Sequence, residues 1–226
     1  TANPTVAAVT TTLKFASLAA GSLHTCGITA DGTSYCWGDN ELGQLGTTTS
    51  NGTTTANPTV TAVATTLKFA SLTLGESHSC GLTADGTAYC WGYNEYGQLG
   101  TTTNNGTTNA NPTVAAVNTT LTFASLTAGG IHTCGLTSDG TAYCWGNDVF
   151  GALGDNSGNK VVPTVTAVAT TLKFASLAPG VDFTCGLTAG GAGYCWGLDQ
   201  FGQLGDGMTS IETAPVAIGG VSFLLP

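Results

Sequence analysis

Apolar residues in this chain come in short clusters rich in β-branched and aromatic members, and Gly, Asn, Asp and Pro separate the clusters. Leu13-Lys14-Phe15-Ala16-Ser17-Leu18 and Tyr35-Cys36-Trp37-Gly38 are representative. Short runs of this composition between turn formers predict strands. No longer stretch combines a helical apolar period with capping residues. The pattern also returns on itself. Pro-Thr-Val begins at Pro4, Pro58, Pro112 and Pro163, and a weaker copy begins at Pro215, giving steps of 54, 54, 51 and 52 residues. Each unit holds a Pro-Thr-Val segment, a Leu-x-Phe-Ala-Ser-Leu strand, a Cys-Gly-Ile/Leu-Thr strand, a turn, a Tyr-Cys-Trp-Gly strand and a Gly-rich closing stretch such as Gly43-Gln44-Leu45-Gly46. About four short strands per unit of this length suggest a propeller blade or a related stacked sheet. The predicted organisation is repeat 1 over 1–57, repeat 2 over 58–111, repeat 3 over 112–162, repeat 4 over 163–214, and a partial fifth over 215–226.

The cysteines sharpen the strand prediction. They pair by spacing as Cys26 with Cys36, Cys80 with Cys90, Cys134 with Cys144, and Cys185 with Cys195. Between the first pair sits Ala30-Asp31-Gly32, a three-residue hairpin loop with Gly at its left-handed position. Counting outward from that turn places Cys26 opposite Cys36 in a non-hydrogen-bonded pair, where Cα atoms approach to about 4.5 Å. That is disulfide distance. Four cross-strand disulfides are therefore expected, one per blade, and metal ligation is the alternative, although the short Cys-x2-4-Cys spacing of zinc sites is absent. Disulfides of this kind imply an oxidising compartment and hence a secreted, extracellular or cell-surface protein. Closing such short loops adds roughly 2–3 kcal/mol each and locks register in strands rich in Gly and Thr.

The run from His24 to Gly46, which contains Cys-Gly-Ile-Thr-Ala-Asp-Gly-Thr, Tyr-Cys-Trp-Gly and Gly-Gln-Leu-Gly, resembles the signature of RCC1 (regulator of chromosome condensation) repeats. Copies start at His78, His132 and Phe183. The resemblance covers nearly the whole chain and implies all-β propeller blades of four antiparallel strands. The Cys-bearing form is similar to that of secreted bacterial members. Relatives of this kind include a nuclear GTPase exchange factor and a secreted β-lactamase inhibitor, and disulfides contradict the nuclear role. The family's usual ring has about seven blades, whereas this chain has four complete repeats. On this reading Thr5 to Leu18 already supply the first strands of blade one. Val216, Ile218, Val221, Phe223, Leu224 and Leu225 then belong to strands with nothing of their own to pair with, which makes them candidate assembly strands. A longer propeller, an unusual four-blade ring under the tail, and a tail crossing to a neighbouring copy all remain open.

Composition narrows the function classes. Among 226 residues there are four Lys or Arg, all lysines, against thirteen acids, for a formal net charge of -9. Such a chain cannot assemble the basic patch that nucleic acid requires, and an anionic membrane surface is excluded on the same ground. No apolar run approaches the ~20 residues of a membrane helix. The first residues lack a basic and apolar leader pattern, so a secretion signal is expected to be absent or already removed.

Catalysis finds little footing. His24, His78 and His132 share one repeat position where the fourth copy has Phe183, as packing residues do. Trp37, Trp91, Trp145 and Trp196 read as inter-blade core. The acids form no pair with opposed environments, and phosphate-loop and nucleophile-elbow motifs are missing. The chain is therefore expected not to be an enzyme and to need no cofactor. Calcium, held by Asp39, Glu41, Glu95, Asp148 and Asp199 in the loops after Trp-Gly, is a minor alternative. Asn51, Asn105 and Asn118 open N-glycosylation patterns, and the Thr-rich loops suit O-linked sugars. The leading expectation is an extracellular structural protein that self-associates head to tail, even into filaments, through its terminal strands. The alternative is a secreted propeller module that binds another extracellular protein or a glycan. Its face would centre on Tyr93, with Tyr96, Phe150 and Phe201 nearby or in the blade core.

Overall fold

The computed structural model describes residues 8–158 and 160–222, with side chains through Gly219. Its regular structure is entirely β, arranged in four sheets of four antiparallel strands. The first sheet contains β1 (Phe15–Ala20), β2 (His24–Thr29), β3 (Ser34–Gly38) and β4 (Asn57–Ala62). The second contains β5 (Phe69–Leu74), β6 (His78–Thr83), β7 (Ala88–Gly92) and β8 (Ala115–Ala116). The third contains β9 (Ser125–Ala128), β10 (His132–Leu136), β11 (Ala142–Asn147) and β12 (Val161–Ala167). The fourth contains β13 (Phe174–Pro179), β14 (Phe183–Thr188), β15 (Ala192–Gly197) and β16 (Glu212–Ser222). The first strands of neighbouring sheets meet one another, so the sheets stand as blades around a shared inner edge.

The hairpins form as the turn chemistry dictates. Gly32, Gly86, Gly140 and Gly191 have φ between 79° and 84°, which costs glycine nothing because it has no Cβ to clash. Thr29 N–H donates to the Thr33 carbonyl across the loop, and the register carries Cys26 opposite Cys36. All four disulfides are present, with Cα–Cα distances of 4.0–4.1 Å.

The blades are offset from the sequence repeats, which corrects the terminal-strand expectation. A Pro-Thr-Val segment does not open the blade of its own repeat. It closes the preceding one, as β4 does on β3 and β12 on β11. The C-terminal segment obeys the same rule. In β16, Val216 and Ala217 lie opposite Cys195 and Tyr194, so the segment is the outer strand of blade four and not the unpaired start of a fifth. Val216, Ile218 and Val221 belong to this paired strand, whereas Phe223, Leu224 and Leu225 lie outside the described residues. The physical reason is that β15 would otherwise present a free edge, and the nearest strand-forming segment in sequence satisfies it.

The core lies between blades, not within one. At the first junction Cys26, Ile28, Cys36 and Leu45 of blade one meet Val63, Phe69, Leu74 and Trp91. Equivalent residues build the second and third junctions. Trp91, Trp145 and Trp196 are fully buried there, each in contact with the Phe of its own blade at a ring separation of 5.7–5.8 Å.

Candidate functional site

Alternation of strand direction sorts the loops onto two ends. The β2–β3 hairpin and its copies occupy one end. The β1–β2 turns and the long β3–β4 loops occupy the other, joined by the hydrogen bond from Asp39 N–H to the Leu23 carbonyl.

The hairpin end is tied up in its own contacts. Asp31 accepts from Thr29 and Thr33 and from Lys68 at 2.8 Å. Asp139 repeats the arrangement with Lys173 at 2.6 Å. The ammonium groups hold both carboxyls well below the usual carboxylate range, with the threonine hydrogen bonds assisting. Exposure to water keeps these pairs weak.

A polar latch crosses each blade junction. His24 Nε2 lies 2.9 Å from the Ser79 hydroxyl of the next blade, and that hydroxyl donates to the Gln44 carbonyl at 2.8 Å. Trp91 Nε1 donates to the same carbonyl at 2.9 Å. His78 with Thr133 and Gln98, and His132 with Thr184 and Ala152, copy the arrangement. The rings sit against glycines. A Cβ on Gly129 would lie 2.2 Å from His132 Cε1, so no larger residue fits without displacing the latch. Burial holds the histidines neutral by pushing them down to about 4 at His24 and His132 and about 3 at His78. These residues knit the scaffold across the blade junctions.

The loop end has a different character. Ten of the thirteen acids lie at this end, Asp39, Glu41, Glu76, Glu95, Asp148, Asp155, Asp182, Asp199 and Asp206 on its loops and Glu212 at the start of β16. Its one lysine, Lys160, is near Asp155 at 3.8 Å. Lys14, Lys68 and Lys173 sit toward the hairpin end. Within this acidic rim Leu42, Glu76, Ser77, Tyr93, Tyr96 and Ile131 line a cleft of about 340 Å³. The Tyr93 and Tyr96 rings meet edge to face at 6.0 Å, and the Tyr93 hydroxyl donates to Glu95. Burial, followed by this contact with Glu95, raises the Tyr93 phenol above its ordinary value, so it stays a donor. Burial and then Glu76 likewise raise Asp182. Sequence reasoning left Tyr96, Phe150 and Phe201 undecided between face and core. The first two are half-buried and Phe201 is 82% exposed, with Met208 and Ile211 exposed on the same loop. Glu76 and Asp182 were missed, because each sits at a repeat position where the other three copies carry no acid.

The loop acids proposed for calcium are scattered. Among the described residues no three His, Cys, Asp or Glu converge as metal ligands. Asn40 and Asn94 instead pin their loops through backbone carbonyls, and Asp148 does so through Ser157 and Gly158. Asp199 is fully buried and accepts from Leu204 N–H at 2.8 Å, while its second oxygen has no partner among the described residues. Asp199→Asn is expected to stabilise the fold by about 1–3 kcal/mol, because the amide nitrogen can donate to loop carbonyls as those of Asn40 and Asn94 do at the same repeat position. Urea midpoints of the two proteins check this, and a loss of stability would assign that oxygen an essential contact. Of the glycosylation candidates, Asn118 is exposed, while Asn51 and Asn105 are half-buried with their carbonyl oxygens covered.

Four-stranded blades stacked on a common inner edge, with loops gathered at one end, define a β-propeller scaffold. Two family models described as the regulator of chromosome condensation (RCC1) repeat match the chain, one over residues 15–44, 69–98 and 123–152 and the other over 31–82 and 85–136. The chain belongs to the RCC1 repeat family. It is 33% identical over 150 residues to the human probable E3 ubiquitin-protein ligase HERC4, which spans 66% of this chain and 14% of that protein. It is 27% identical over 212 residues to human E3 ubiquitin-protein ligase HERC2, covering 92% of this chain and 4% of that one. The fold matches yeast RCC1 (Prp20) in its complex with Kap60 at TM-score 0.79 and 23% identity, over 93% of this chain and 50% of Prp20. Human WBSCR16 matches at TM-score 0.81 and 19% identity, over 93% and 54% of the two chains. The chain thus spans about half the length of these solved structures and a small part of the ligases.

Proposed function

We propose that this chain is an extracellular, non-catalytic binding module that grips a protein partner with its loop end. The observation that carries the reading is the sidedness of the molecule. Acids and accessible aromatic or aliphatic side chains share one end, and the other end is occupied by its own ion pairs. A protein surface offering Arg or Lys beside apolar groups complements that end, because charge steers the encounter and aromatic anchors hold it. The partners of a solved relative agree in kind: yeast Prp20 is seen bound to Kap60, and its binding to Gsp1p and histones has been characterised. Four disulfides support an oxidising, secreted setting, and exposed Asn118 is the best placed of the three sequons for a glycan.

The test uses short peptides that combine Arg with Trp, and the same peptides with Glu in place of Arg. The native protein is expected to bind the cationic set, more weakly as salt rises. Tyr93→Ala and Glu95→Gln each lower affinity by about tenfold, or ~1.4 kcal/mol, without changing thermal stability. Asp85→Asn at the hairpin end leaves binding unchanged. Equal binding of the Glu peptides, or an equal loss in Asp85→Asn, overturns the reading.

A further inference from the structure

The two outer faces of the blade stack are complementary halves of one junction. Within the molecule that junction occurs three times, always in the same direction. One blade offers its disulfide and the apolar residues around it, and the next lays a Phe, a Trp and a Leu over them. The forward face of blade four offers the same surface. Ala178, Cys185, Leu187, Gly193 and Ile218 border an apolar cavity of about 280 Å³. Cys185 is half-buried, whereas Cys26, Cys80 and Cys134 are fully buried. Blade one carries the opposite half. Phe15 and Trp37 are half-buried, while their counterparts Phe69 and Trp91 are 2% and 0% exposed. Leu18 is 62% exposed, yet its counterparts Leu72, Leu126 and Leu177 pack into the three junctions. Val9 is 46% exposed where Val63 is 5%.

We propose that the forward face of blade four receives blade one of a second copy of this chain. The occupant follows from continuity with the internal junctions, whose repeat gives each face its partner residue by residue. Trp37 Nε1 and the Thr25 hydroxyl then reach the Gln203 carbonyl, as Trp91 and Ser79 reach that of Gln44. Two internal contacts are missing at this seam. Phe183 stands where His24, His78 and His132 meet the hydroxyl of the next blade. Lys14 meets the Ala189-Gly190-Gly191 turn, which lacks the aspartate that pairs with Lys68. The seam is therefore the weakest junction of the stack, and association is reversible. Its faces differ, so it is head to tail, and copies add in one direction until the stack closes or extends. This inference rests on the end faces and stands apart from the loop-end reading.

Sedimentation of the intact oxidised chain tests it, with two variants at exposed positions, Leu18→Asp on blade one and Ala178→Asp on blade four. The native chain is expected to exceed its monomer mass of 22.5 kDa as concentration rises to ~100 μM, a range that reveals even weak interfaces. Each variant alone stays monomeric and keeps the native near-ultraviolet spectrum. An equimolar mixture forms a dimer and nothing larger, because only one good pair of faces remains. Trp37 emission, which shifts to the blue as the native chain associates, gives a second readout. A native chain that stays monomeric throughout, assembly that survives Leu18→Asp, or a mixture that fails to dimerise overturns the proposal.

Discussion

Truncation of Trp145 to alanine is expected to cost about 4–5 kcal/mol, the upper end for a large core aromatic. The ring is fully buried, lies 5.8 Å from Phe123 and donates to the Gln98 carbonyl at 3.0 Å. Removing it opens a cavity over the Cys80–Cys90 disulfide, and Thr133 alone remains on that carbonyl. Trp37 occupies the same repeat position but has no preceding blade over it among the described residues. Trp37→Ala, measured at a dilution that keeps the chain monomeric, is expected to cost only about 1–2 kcal/mol, in proportion to the smaller area it covers. Denaturant midpoints of the two oxidised variants check the contrast. Equal losses would refute the claim that stability resides between blades.

The second large effect is on acid stability. His24, His78 and His132 are held neutral by burial, at about 4, 3 and 4, while in the unfolded chain each takes up a proton near 6.5. A base whose value is lowered on folding favours the fold above its unfolded value. That contribution is complete above about pH 6.5 and drains away as pH falls toward 4, because the unfolded chain binds more protons across this window. Each histidine accounts for about 3 kcal/mol by this linkage. Together they approach the whole stability of a typical domain, about 5–15 kcal/mol. Asp148 and Asp182, raised chiefly by burial, act with the opposite sign and offset part of the loss. Asp31 and Asp139 lose their contribution only at still lower pH. The melting temperature of the native protein is expected to fall steeply from about pH 6.5 to about pH 4. Phenylalanine at all three positions, the residue blade four carries as Phe183, flattens that slope at the expense of the hydroxyl contacts. An unchanged slope would remove the histidines from the account.

Much of the architecture was legible because it is written four times. The Asp-Gly turns fixed hairpin register, and register fixed the disulfides. The assignment of Pro-Thr-Val was not legible. A repeat has no intrinsic starting point, and the same strand can open one blade or close another. The choice depends on which edge lies nearer after the long loop turns back, as β16 does on β15. The loop-end site was half visible. Tyr93 stood out because the other repeats have no aromatic counterpart there. The gathering of acids from β1–β2 turns and β3–β4 loops at one end depends on strand direction, and it emerged only once the strands were placed. The complementary end faces were hidden for a related reason. Trp37 reads as inter-blade core in sequence, and only the stack identifies it and Phe15 as the copies with no partner blade over them among the described residues.

Hydrogen exchange of the native chain, with and without a saturating Arg–Trp peptide, tests the central claim most directly. The account predicts slowed exchange in the Gly75–Ser77 turn, the 93–98 loop and the 199–211 loop, with the 84–86 and 138–140 hairpins unaffected. Protection confined to those hairpins, or spread evenly over both ends, would contradict a loop-end binding face.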